Sequence, residues 1–413
     1  PLSSVTGKGL DDLRGWLVAQ MQSIAQGETS IHPAGQFRMA IDRSFVIDGA
    51  GLVVTGAVSS GMVAQDDRLV IAPEGIEVRV RGIHAQNRRA QQGYAGQRCA
   101  INIAGQRASL ETIGRGQWLL APDIFAPVTR MDARIRLLPD ARPLRHWSAV
   151  HLHLGAADIP ARIALLEGGT LAPGKEALAQ IVLQHPASAL YGERFILRDH
   201  QGSRTIGGGA VIDPFAPARG RARPERLAIL RALEEKDCQS AAREAIALSA
   251  GGFAYGDFVV ARNLSPDAEL SLRQSLQHVQ IHGEGRGSMA VSGEHWVAAR
   301  ASLLSHINSA PQGVTRLALA QGLRPRLSEV LIAAMLDELA AAGEITHAAG
   351  HYKPRGAQLQ LEPRDAALWA KLQPLLDNIR PPSLAELADG LKADVRIIER
   401  LLQKIARLGL AVQ

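Results

Sequence analysis

The chain is poor in the residues that mark several classes of protein. Its 413 residues include two cysteines, Cys99 and Cys238, without paired or metal-ligand spacing, so we expect a reducing compartment and two buried thiols without chemistry. Aromatic residues make up 4%, which argues against a base-stacking platform for single-stranded nucleic acid. No apolar run approaches the roughly 18 residues of a membrane span. These absences favour a soluble, cytoplasmic protein with no membrane partner.

Lysine is scarce as well, whereas arginine is abundant. The 46 basic residues include seven lysines and therefore 39 arginines, and the formal net charge is +6. Guanidinium groups make bidentate contacts with phosphate, so this composition is compatible with a nucleic-acid partner. Codon bias in a GC-rich genome explains the same excess, and composition alone favours that explanation.

The first half of the chain is predicted to form two antiparallel β-barrels. Apolar and polar residues alternate in short segments between glycines, with no helical stretch among them. Strands of a first barrel are predicted at 37–41, 45–47, 52–54, 68–72, 78–83 and 100–103. Strands of a second barrel are predicted at 127–138, 149–154, 161–166, 177–183, 194–198 and 205–214. Such spacing is typical of small closed barrels, and the pattern alone assigns them to no particular family.

A linker rich in proline and arginine separates the barrels from a helical region. Its residues, 215–226, mark a domain boundary by composition. The arginines in it, expected to be solvated rather than bound to RNA, are Arg219, Arg221, Arg223 and Arg226. Beyond this linker the apolar period changes from two residues to that of a helix.

The helical region is predicted to repeat one supersecondary unit. A short helix at 317–323 precedes a longer one with four apolar residues on one face, Val330, Ala333, Leu336 and Leu339. A hairpin of 344–347 and 351–353 then turns at Ala349 and Gly350. Helix, turn, helix and hairpin is the order of a winged helix.

Two further copies of this unit are predicted. Helices at 384–391 and 395–408 repeat the helix pair with an offset of 65 residues, and Gly409 is expected to end the second. An earlier copy has a helix at 257–263, Ser265 as the N-cap of the next helix, and a wing at 279–291. The pattern therefore predicts three winged helices, the third stopping before its wing.

Three segments carry a resemblance to a known family. They are 41–56 (IDRSFVIDGAGLVVTG), 95–105 (AGQRCAINIAG) and 3–10 (SSVTGKGL). The first two resemble the second domain of translational GTPases and, within them, of bacterial selenocysteine-specific elongation factors. The third resembles the last guanine-contacting loop of a GTPase domain, where Ser3 and Ser4 are the nucleotide-binding remnant.

This resemblance implies a multidomain organisation along essentially the whole chain. A remnant of an α/β GTPase domain (1–28) precedes two β-barrels (35–121 and 122–216). An array of winged helices follows at 217–292, 293–361 and 362–413. The resemblance implies that most of the GTPase domain and a fourth winged helix are missing from this chain.

The resemblance also implies a function and its partners. Members of the family deliver selenocysteinyl-tRNA to the ribosome at recoded UGA codons, and their final winged helices grip a messenger RNA hairpin. The intact factor uses GTP and magnesium. Neither a complete P-loop nor an Asn-Lys-x-Asp motif occurs in this sequence, so we expect no GTPase activity, no bound cofactor, no catalytic residues and no metal site in the chain, which we expect to be a monomer.

Candidate binding residues follow from the same resemblance. Arg43 and Arg98 would supply positive charge for a selenolate, and Asp42 would engage the amine of the amino acid or orient an arginine. A surface Asp–Arg pair and an arginine that pins a barrel loop explain these residues equally well. RNA contacts are expected from basic residues of the third winged helix, each of which is otherwise a solvated side chain: Lys392, Arg396, Arg400 and Lys404.

Alternative functions remain open at this point. Winged helices also suit a DNA-binding regulator, although this function leaves the barrels unexplained. Another translational GTPase of the elongation factor Tu type is a second alternative. A P-loop at 169–176 is rejected because Glu176 replaces the hydroxyl that binds magnesium. His146, His151 and His153 alternate on a barrel strand without a carboxylate cluster and are taken as plain strand residues.

Overall fold

The computed structural model describes residues 1–25, 35–348, 350–356, 363–376 and 382–407. The helices described are α1 (Leu10–Ala25), α2 (Pro224–Leu233), α3 (Cys238–Leu248), α4 (Tyr255–Ala261), α5 (Pro266–Ser275), α6 (Gly293–Asn308), α7 (Arg316–Gly322), α8 (Glu329–Ala341), α9 (Pro363–Leu376), α10 (Leu384–Leu391) and α11 (Val395–Arg407). In this part of the chain, every helix is too short or too polar to traverse a lipid bilayer.

The strands fall mostly in the first half of the chain. They are β1 (Arg38–Ile47), β2 (Gly51–Ser60), β3 (Met62–Ala64), β4 (Arg68–Ala72), β5 (Ile76–Ala85), β6 (Arg88–Ala90), β7 (Gln92–Tyr94), β8 (Arg98–Ala104), β9 (Trp118–Leu120), β10 (Val128–Leu137), β11 (Leu144–Arg145), β12 (Ser148–Leu154), β13 (Ala157–Leu165), β14 (Thr170–Leu171), β15 (Glu176–Ala187), β16 (Arg194–Arg198), β17 (Thr205–Asp213), β18 (Val279–His282), β19 (Met289–Ser292), β20 (Ile345–Ala348) and β21 (His351–Pro354). The chain divides into two compact units, Pro1–Leu248 with Gly256–Gln277, and Ser249–Tyr255 with His278–Gln413.

The first barrel closes as the alternating sequence predicts. Its strands run in the order β4-β9-β1-β2-β8-β5, and β5 pairs back with β4. Along β5 the residues alternate between buried and exposed, so apolar side chains fill the barrel while arginines point outward. Strand β1 carries an irregularity between Ile41 and Arg43, where two residues advance against one on β2. This bulge places Asp42 on the outer surface beside β8.

The second barrel also closes, with the order β10-β15-β13-β12-β16-β17 and a final pairing of β17 with β10. Its core contains fully buried residues from all six strands, among them Met131, Ile135, Leu152, Ile163, Ile181, Leu197 and Val211. Glycine is required at Gly209 because a Cβ atom there would collide with the carbonyl oxygen of Arg134 on the neighbouring strand. The prediction of two closed barrels is confirmed.

A buried arginine joins the two barrels. The side chain of Arg38 on β1 is 2% exposed and forms an ion pair with Glu193 of the second barrel. It also donates to the carbonyl oxygen of Ser188 over 3.0 Å and lies 3.7 Å above the ring of Trp118. Burial lowers the pKa of Arg38 to about 9, so the guanidinium is charged at neutral pH opposite Glu193. The strand pattern around Arg38 does not predict this contact.

The expectation of solvated linker arginines is wrong for Arg226. Helix α2 begins at Pro224, and this places Arg226 against the second barrel. Its Nη2 atom lies 2.5 Å from an oxygen of Asp132 and 2.6 Å from one of Asp213, and the Arg226 side chain is 15% exposed. Burial raises the pKa of Asp132, while the charge of Arg226 acts in the opposite direction. The linker thus ends in a buried ion-pair network because Asp132 needs a counter-charge.

Helices α4 and α5 meet where the sequence predicts a cap. The Ser265 side chain accepts a hydrogen bond from the backbone of Ala268, as expected of an N-cap. Two residues earlier, Asn263 is in the left-handed region, with φ 49°. Its side chain accepts from the Gln36 backbone over 3.0 Å and donates to Ser60 over 2.9 Å. These bonds attach the helices to the first barrel.

The second unit contains the helices predicted for the second and third copies and the hairpins β18–β19 and β20–β21, whereas most of α4 and all of α5 belong to the first unit. Helix α6 is followed by a single bridge between Val314 and Tyr352, then by α7, α8 and the β20–β21 hairpin. The predicted buried face of α8 is partly wrong, because Val330 and Ala333 are only half-buried. The residues of α8 that fill the core are Leu331, Ile332, Met335, Leu336 and Leu339. The 3.6-residue period is correct, but the face is rotated by about one residue.

The last helices of the second unit pack on one another. Helix α10 begins with a capping box between Ser383 and Glu386. Buried residues of α9, α10 and α11 form one cluster: Leu372, Leu387, Ala388, Ile398, Leu401 and Ile405. Val395, by contrast, is 42% exposed, unlike the half-buried Val330 with which the repeat pairs it. The predicted turn residue Ala349, the predicted helix end at Gly409 and the last residues of the third copy lie outside the described residues.

Candidate functional site

A cavity of about 610 Å³ opens on the outside of the first barrel. It lies on β1, β2, β8 and β5 and is bounded by the turn at Gln86 and Asn87, which have φ of 50° and 64°. One wall is apolar because it includes the side chains of Phe45 and Ile47, which are 38% and 45% exposed. The other lining residues that carry polar groups are Thr55, His84, Gln86, Asn87, Arg89, Arg98 and Asn102. An apolar wall facing convergent polar groups is typical of a small-ligand site.

Asp42 and Arg98 meet at the edge of this cavity. The carboxylate accepts two hydrogen bonds from the guanidinium of Arg98, over 2.5 and 2.9 Å, and a third from the hydroxyl of Thr55 over 2.7 Å. The hydrogen bonds from Arg98 lower the pKa of Asp42; burial opposes this shift, and Thr55 and the charge of Arg43 add to it. The Asp42 and Arg98 side chains are 32% and 56% exposed. The pair is therefore formed, ionised and open to a ligand.

Arg43 occupies a different position. It is exposed and pairs with Thr55 across β1 and β2, but it is not among the residues that line the cavity. Its charge acts on the Asp42 carboxylate from outside the pair. The structure thus brings Asp42 and Arg98 into direct contact and leaves Arg43 beside them as a separate, exposed cation.

Six of the seven polar residues that line the cavity were not predicted from the sequence, among them His84, Arg89 and Asn102. His84 on β5 and Arg89 on β6 are exposed and face each other across the hairpin. Asn102 on β8 donates to the carbonyl oxygen of Ala50 over 2.6 Å and so holds the turn between β1 and β2. The alternation of β5 places His84 on the outer face, so the strand pattern contained this signal. The pairing of β6 with β5 was not visible in the pattern.

Ser3 and Ser4 lie in a turn that leads into α1. The Ser3 hydroxyl accepts from the backbone of Thr6 over 3.2 Å, and its carbonyl oxygen accepts from Gly7 over 3.0 Å. Ser4 is exposed. The loop-then-helix order expected at this position is present, and the geometry of Ser3 is that of a side chain that stabilises a turn.

The four basic residues proposed to contact RNA do not have equivalent surroundings. Lys392, Arg396 and Arg400 are exposed on α11 and the turn before it. Lys404 is half-buried, and its Nζ atom lies 2.6 Å from an oxygen of Asp365 on α9. Lys404 therefore helps to fix α9 against α11, whereas the other three face solvent.

The two cysteines differ in burial, and His151 pairs with a carboxylate. Cys99 is buried against the cavity, while Cys238 is only half-buried, so the prediction of two buried thiols is wrong for the second. Burial raises the pKa of both thiols. His151 lies 2.8 Å from Asp158 on the neighbouring strand. The residues that the structure describes contain no group of three or more potential metal ligands.

Comparison with known proteins first identifies the class of the second barrel. Residues 131–218, which begin within β10 and extend past β17, match the family model described as "Selenocysteine-specific elongation factor, beta-barrel domain". A barrel of this class beside another closed six-stranded barrel agrees with the architecture expected from the sequence. A solved structure of bacterial selenocysteine-specific elongation factor EF-Sec has a similar fold, with a TM-score of 0.64 and 19% identity over 98% of this chain and 67% of that one.

Curated relatives extend this match along the chain. The selenocysteine-specific elongation factor of Escherichia coli (strain K12) is 30% identical over 99% of this chain and 63% of its own length. That of Haemophilus influenzae is 26% identical over 98% and 64%, and that of Desulfomicrobium baculatum 33% identical over 52% and 33%. Nearly the whole length of the chain is thus similar to selenocysteine-specific elongation factors, as the resemblance implied. It spans less than two thirds of the length of these relatives.

Proposed function

We propose that this chain is the tRNA- and RNA-binding part of a translation elongation factor that delivers selenocysteinyl-tRNA to the ribosome at recoded UGA codons. The homology to selenocysteine-specific elongation factors supports the general function. The observation that carries the proposal is the Asp42–Arg98 pair at the edge of the 610 Å³ cavity. This cavity is the proposed site for the aminoacyl group.

The pair matches the charges of a selenocysteinyl ester. Such an ester carries an ammonium group and, a few bonds away, a selenol that is largely ionised at neutral pH. Asp42 suits the ammonium, and Arg98 suits the selenolate, with Arg43 and Arg89 adding positive charge nearby. A ligand that carries both charges replaces the Asp42–Arg98 ion pair with two new ion pairs, one to each residue. Neither residue is then left without a counter-charge.

Magnitudes favour this exchange. An ion pair as exposed as Asp42–Arg98 contributes roughly 0–1 kcal/mol, so its opening costs little. A hydrogen bond to a charged group contributes about 1.5–3 kcal/mol. Binding a zwitterionic ligand therefore gains more than opening the pair loses. Serine offers a neutral hydroxyl in place of the selenolate and gains less, which is the basis of selectivity.

We further propose that the second unit binds a messenger RNA hairpin through winged helices. The order α6, bridge at Val314, α7, α8 and β20–β21 hairpin is that of a winged helix and supports this assignment. The exposed residues Lys392, Arg396 and Arg400 are the candidate phosphate contacts. Lys404 is withdrawn from this set because it is paired with Asp365.

The nucleotide chemistry is assigned to the intact factor. GTP and magnesium are the cofactors that the family resemblance implies there, with Ser3 and Ser4 as a remnant of the guanine-contacting loop. This sequence contains neither a complete P-loop nor an Asn-Lys-x-Asp motif, so the chain itself is proposed to bind no nucleotide. A DNA-binding regulator leaves both barrels without a role. A factor of the elongation factor Tu type leaves the helices of the second unit without one.

The pH dependence of selectivity tests the proposed pocket. Binding of the chain to selenocysteinyl-, cysteinyl- and seryl-tRNA is measured by fluorescence anisotropy across pH. We expect the chain to bind selenocysteinyl-tRNA more tightly than the other two at neutral pH. We also expect it to prefer cysteinyl- over seryl-tRNA increasingly as the pH approaches the cysteine thiol pKa of about 8.5. Equal affinity for all three at every pH would contradict charge recognition by Asp42 and Arg98.

A further inference from the structure

An exposed tryptophan on the second barrel is held in an unusual conformation. Trp147, between β11 and β12, is 41% exposed and has a φ of 70°, in the left-handed region. A bulky residue there is strained by roughly 1–2 kcal/mol and persists only when its surroundings fix it. The backbone N–H of Trp147 donates to the carbonyl oxygen of Ile163 over 2.7 Å. The backbone N–H of His146 donates to the carbonyl oxygen of Gly169 over 2.8 Å. The backbone is thus held so that the indole faces solvent.

Two arginines and a histidine lie close to Trp147. The guanidinium carbon of Arg221 lies 5.5 Å from the ring centroid. Arg162 donates to the Trp147 carbonyl oxygen over 3.3 Å, and the His146 ring lies 6.2 Å away at an interplanar angle of 27°. The carboxylate of Glu167, two residues before Gly169, is paired with Arg231. The surface around Trp147 is therefore aromatic and positively charged.

Arg221 lies farther from the ring of Trp147 than the arginines of two other arginine–aromatic pairs in the same unit lie from their rings. Arg38 lies 3.7 Å from Trp118 and Arg262 lies 3.4 Å from Tyr191, both in direct contact. At 5.5 Å, the guanidinium carbon of Arg221 is farther from its ring centroid than in either of these pairs. Two planes that sandwich a nucleobase need roughly 7 Å, twice the contact distance of about 3.5 Å between carbon atoms.

Arg162 extends the positive surface away from the ring. It also lines a cavity of about 440 Å³ on the outside of the same barrel, together with His151 and His200. Asp158 holds His151 from the neighbouring strand. A nucleotide whose base lies on Trp147 thus has the guanidinium of Arg162, which contacts the Trp147 backbone, for its phosphate.

We propose that Trp147, Arg221 and Arg162 form a binding site for one unpaired RNA nucleotide. The base stacks on the indole, and Arg221 covers its other face or contacts its phosphate. The low aromatic content of the chain argues against an extended stacking platform, but one tryptophan is sufficient for one base. This site is on the second barrel and is independent of the aminoacyl cavity on the first.

Binding of a single-stranded oligoribonucleotide of about ten nucleotides tests the site. Anisotropy is measured for the wild-type chain and for Trp147→Ala, Trp147→Phe and Trp16→Ala. Trp16 is a matched control because it is also exposed, at 59%, but lies on α1, where the first turn is acidic. We expect Trp147→Ala to weaken binding by about fivefold or more, Trp147→Phe to retain most of the affinity, and Trp16→Ala to have no effect.

Two further probes separate stacking from other causes. On an abasic oligomer of the same length, wild type and Trp147→Ala should bind equally, because only phosphate contacts remain. Arg221→Ala should reduce the slope of log affinity against log salt by about 0.7, whereas Arg219→Ala in the same linker should not. A transfer RNA and a bulged hairpin used as competitors identify which class of RNA supplies the unpaired nucleotide.

Three results would overturn the proposal. The first is Trp147→Ala binding within about twofold of wild type on the intact oligomer. The second is an equal loss of affinity on the abasic oligomer, which would indicate a structural effect on phosphate binding. The third is Trp147-dependent binding of an acidic peptide that competes with the RNA, which would assign the surface to a protein partner.

Discussion

Replacement of Arg38 by methionine is expected to destabilise the two barrels strongly. The Arg38 side chain is 2% exposed, is paired with Glu193, donates to Ser188 and lies on the Trp118 ring. Removal of one partner from a buried ion pair costs about 3–5 kcal/mol, since the other charge is left uncompensated. Glu193 is 18% exposed, so water partly solvates its carboxylate and the loss should be about 3 kcal/mol. The uncompensated carboxylate, rather than the lost contact area, determines this value.

Urea unfolding of matched variants measures this loss. Arg79→Met is the control, because Arg79 forms an exposed pair with Asp66 over 3.0 Å on the first barrel and should change stability by at most about 1 kcal/mol. The double variant Arg38→Met with Glu193→Leu should recover much of the loss, since an apolar pair leaves no charge unpaired. The chain has two units, so the transition must be assigned to the barrels, for example by hydrogen exchange. An effect of Arg38→Met no larger than that of Arg79→Met would refute the reasoning.

Three further predictions address the proposed ligands and the cavity. First, the chain should bind neither GTP nor GDP, because its sequence has no phosphate-cradling loop; a micromolar affinity by calorimetry would contradict this. Second, it should bind hairpin RNAs weakly and with similar affinity for cognate and scrambled loops, with a log–log salt slope of about three from Lys392, Arg396 and Arg400. Nanomolar, loop-specific binding at physiological salt would show that the chain reads the RNA sequence. Third, Arg98→Met should raise the pKa of Asp42 toward its ordinary value, because the two guanidinium hydrogen bonds lower it. In the wild type the small contribution of this pair to stability is present above the ordinary carboxylate pKa and is lost as pH falls through the lowered folded value. Carbon-13 NMR titration of Asp42 decides this point, and an unchanged pKa would show that Arg98 does not set it.

Features that depend on neighbouring residues in the chain were predictable from the sequence. The alternation along β5 and the period of α8 follow from local burial, and the Ser265 cap follows from local hydrogen bonding. The closure of both barrels also followed, because short strands with glycine turns have few other ways to cover their edges. The face of α8 was placed about one residue away from the observed one, since Val330 and Leu331 are equally apolar.

Features that depend on distant residues were not predictable in the same way. Arg226 is separated from Asp132 by 94 residues, and a proline- and arginine-rich segment gives no sign of such a buried partner. Arg38 lies in a strand whose alternation indicates apolar residues. Its charge is compensated by Glu193 of the second barrel. In the cavity, Asp42 and Arg98 were nominated by resemblance, but their bidentate contact depends on the bulge in β1 and the register of β8. The orientation of Trp147 likewise depends on backbone bonds to β13 and the turn before β14.

The proposed recognition of selenocysteine by charge is tested most directly by the selectivity of arginine variants. The affinities of Arg98→Met, Arg43→Met and the control Arg79→Met are measured for selenocysteinyl- and seryl-tRNA. We expect Arg98→Met or Arg43→Met to erode the preference for selenocysteine by on the order of 1 kcal/mol, about fivefold, and Arg79→Met to leave it unchanged. Undiminished preference in both variants, with folding intact, would place the amino-acid pocket elsewhere and contradict the account.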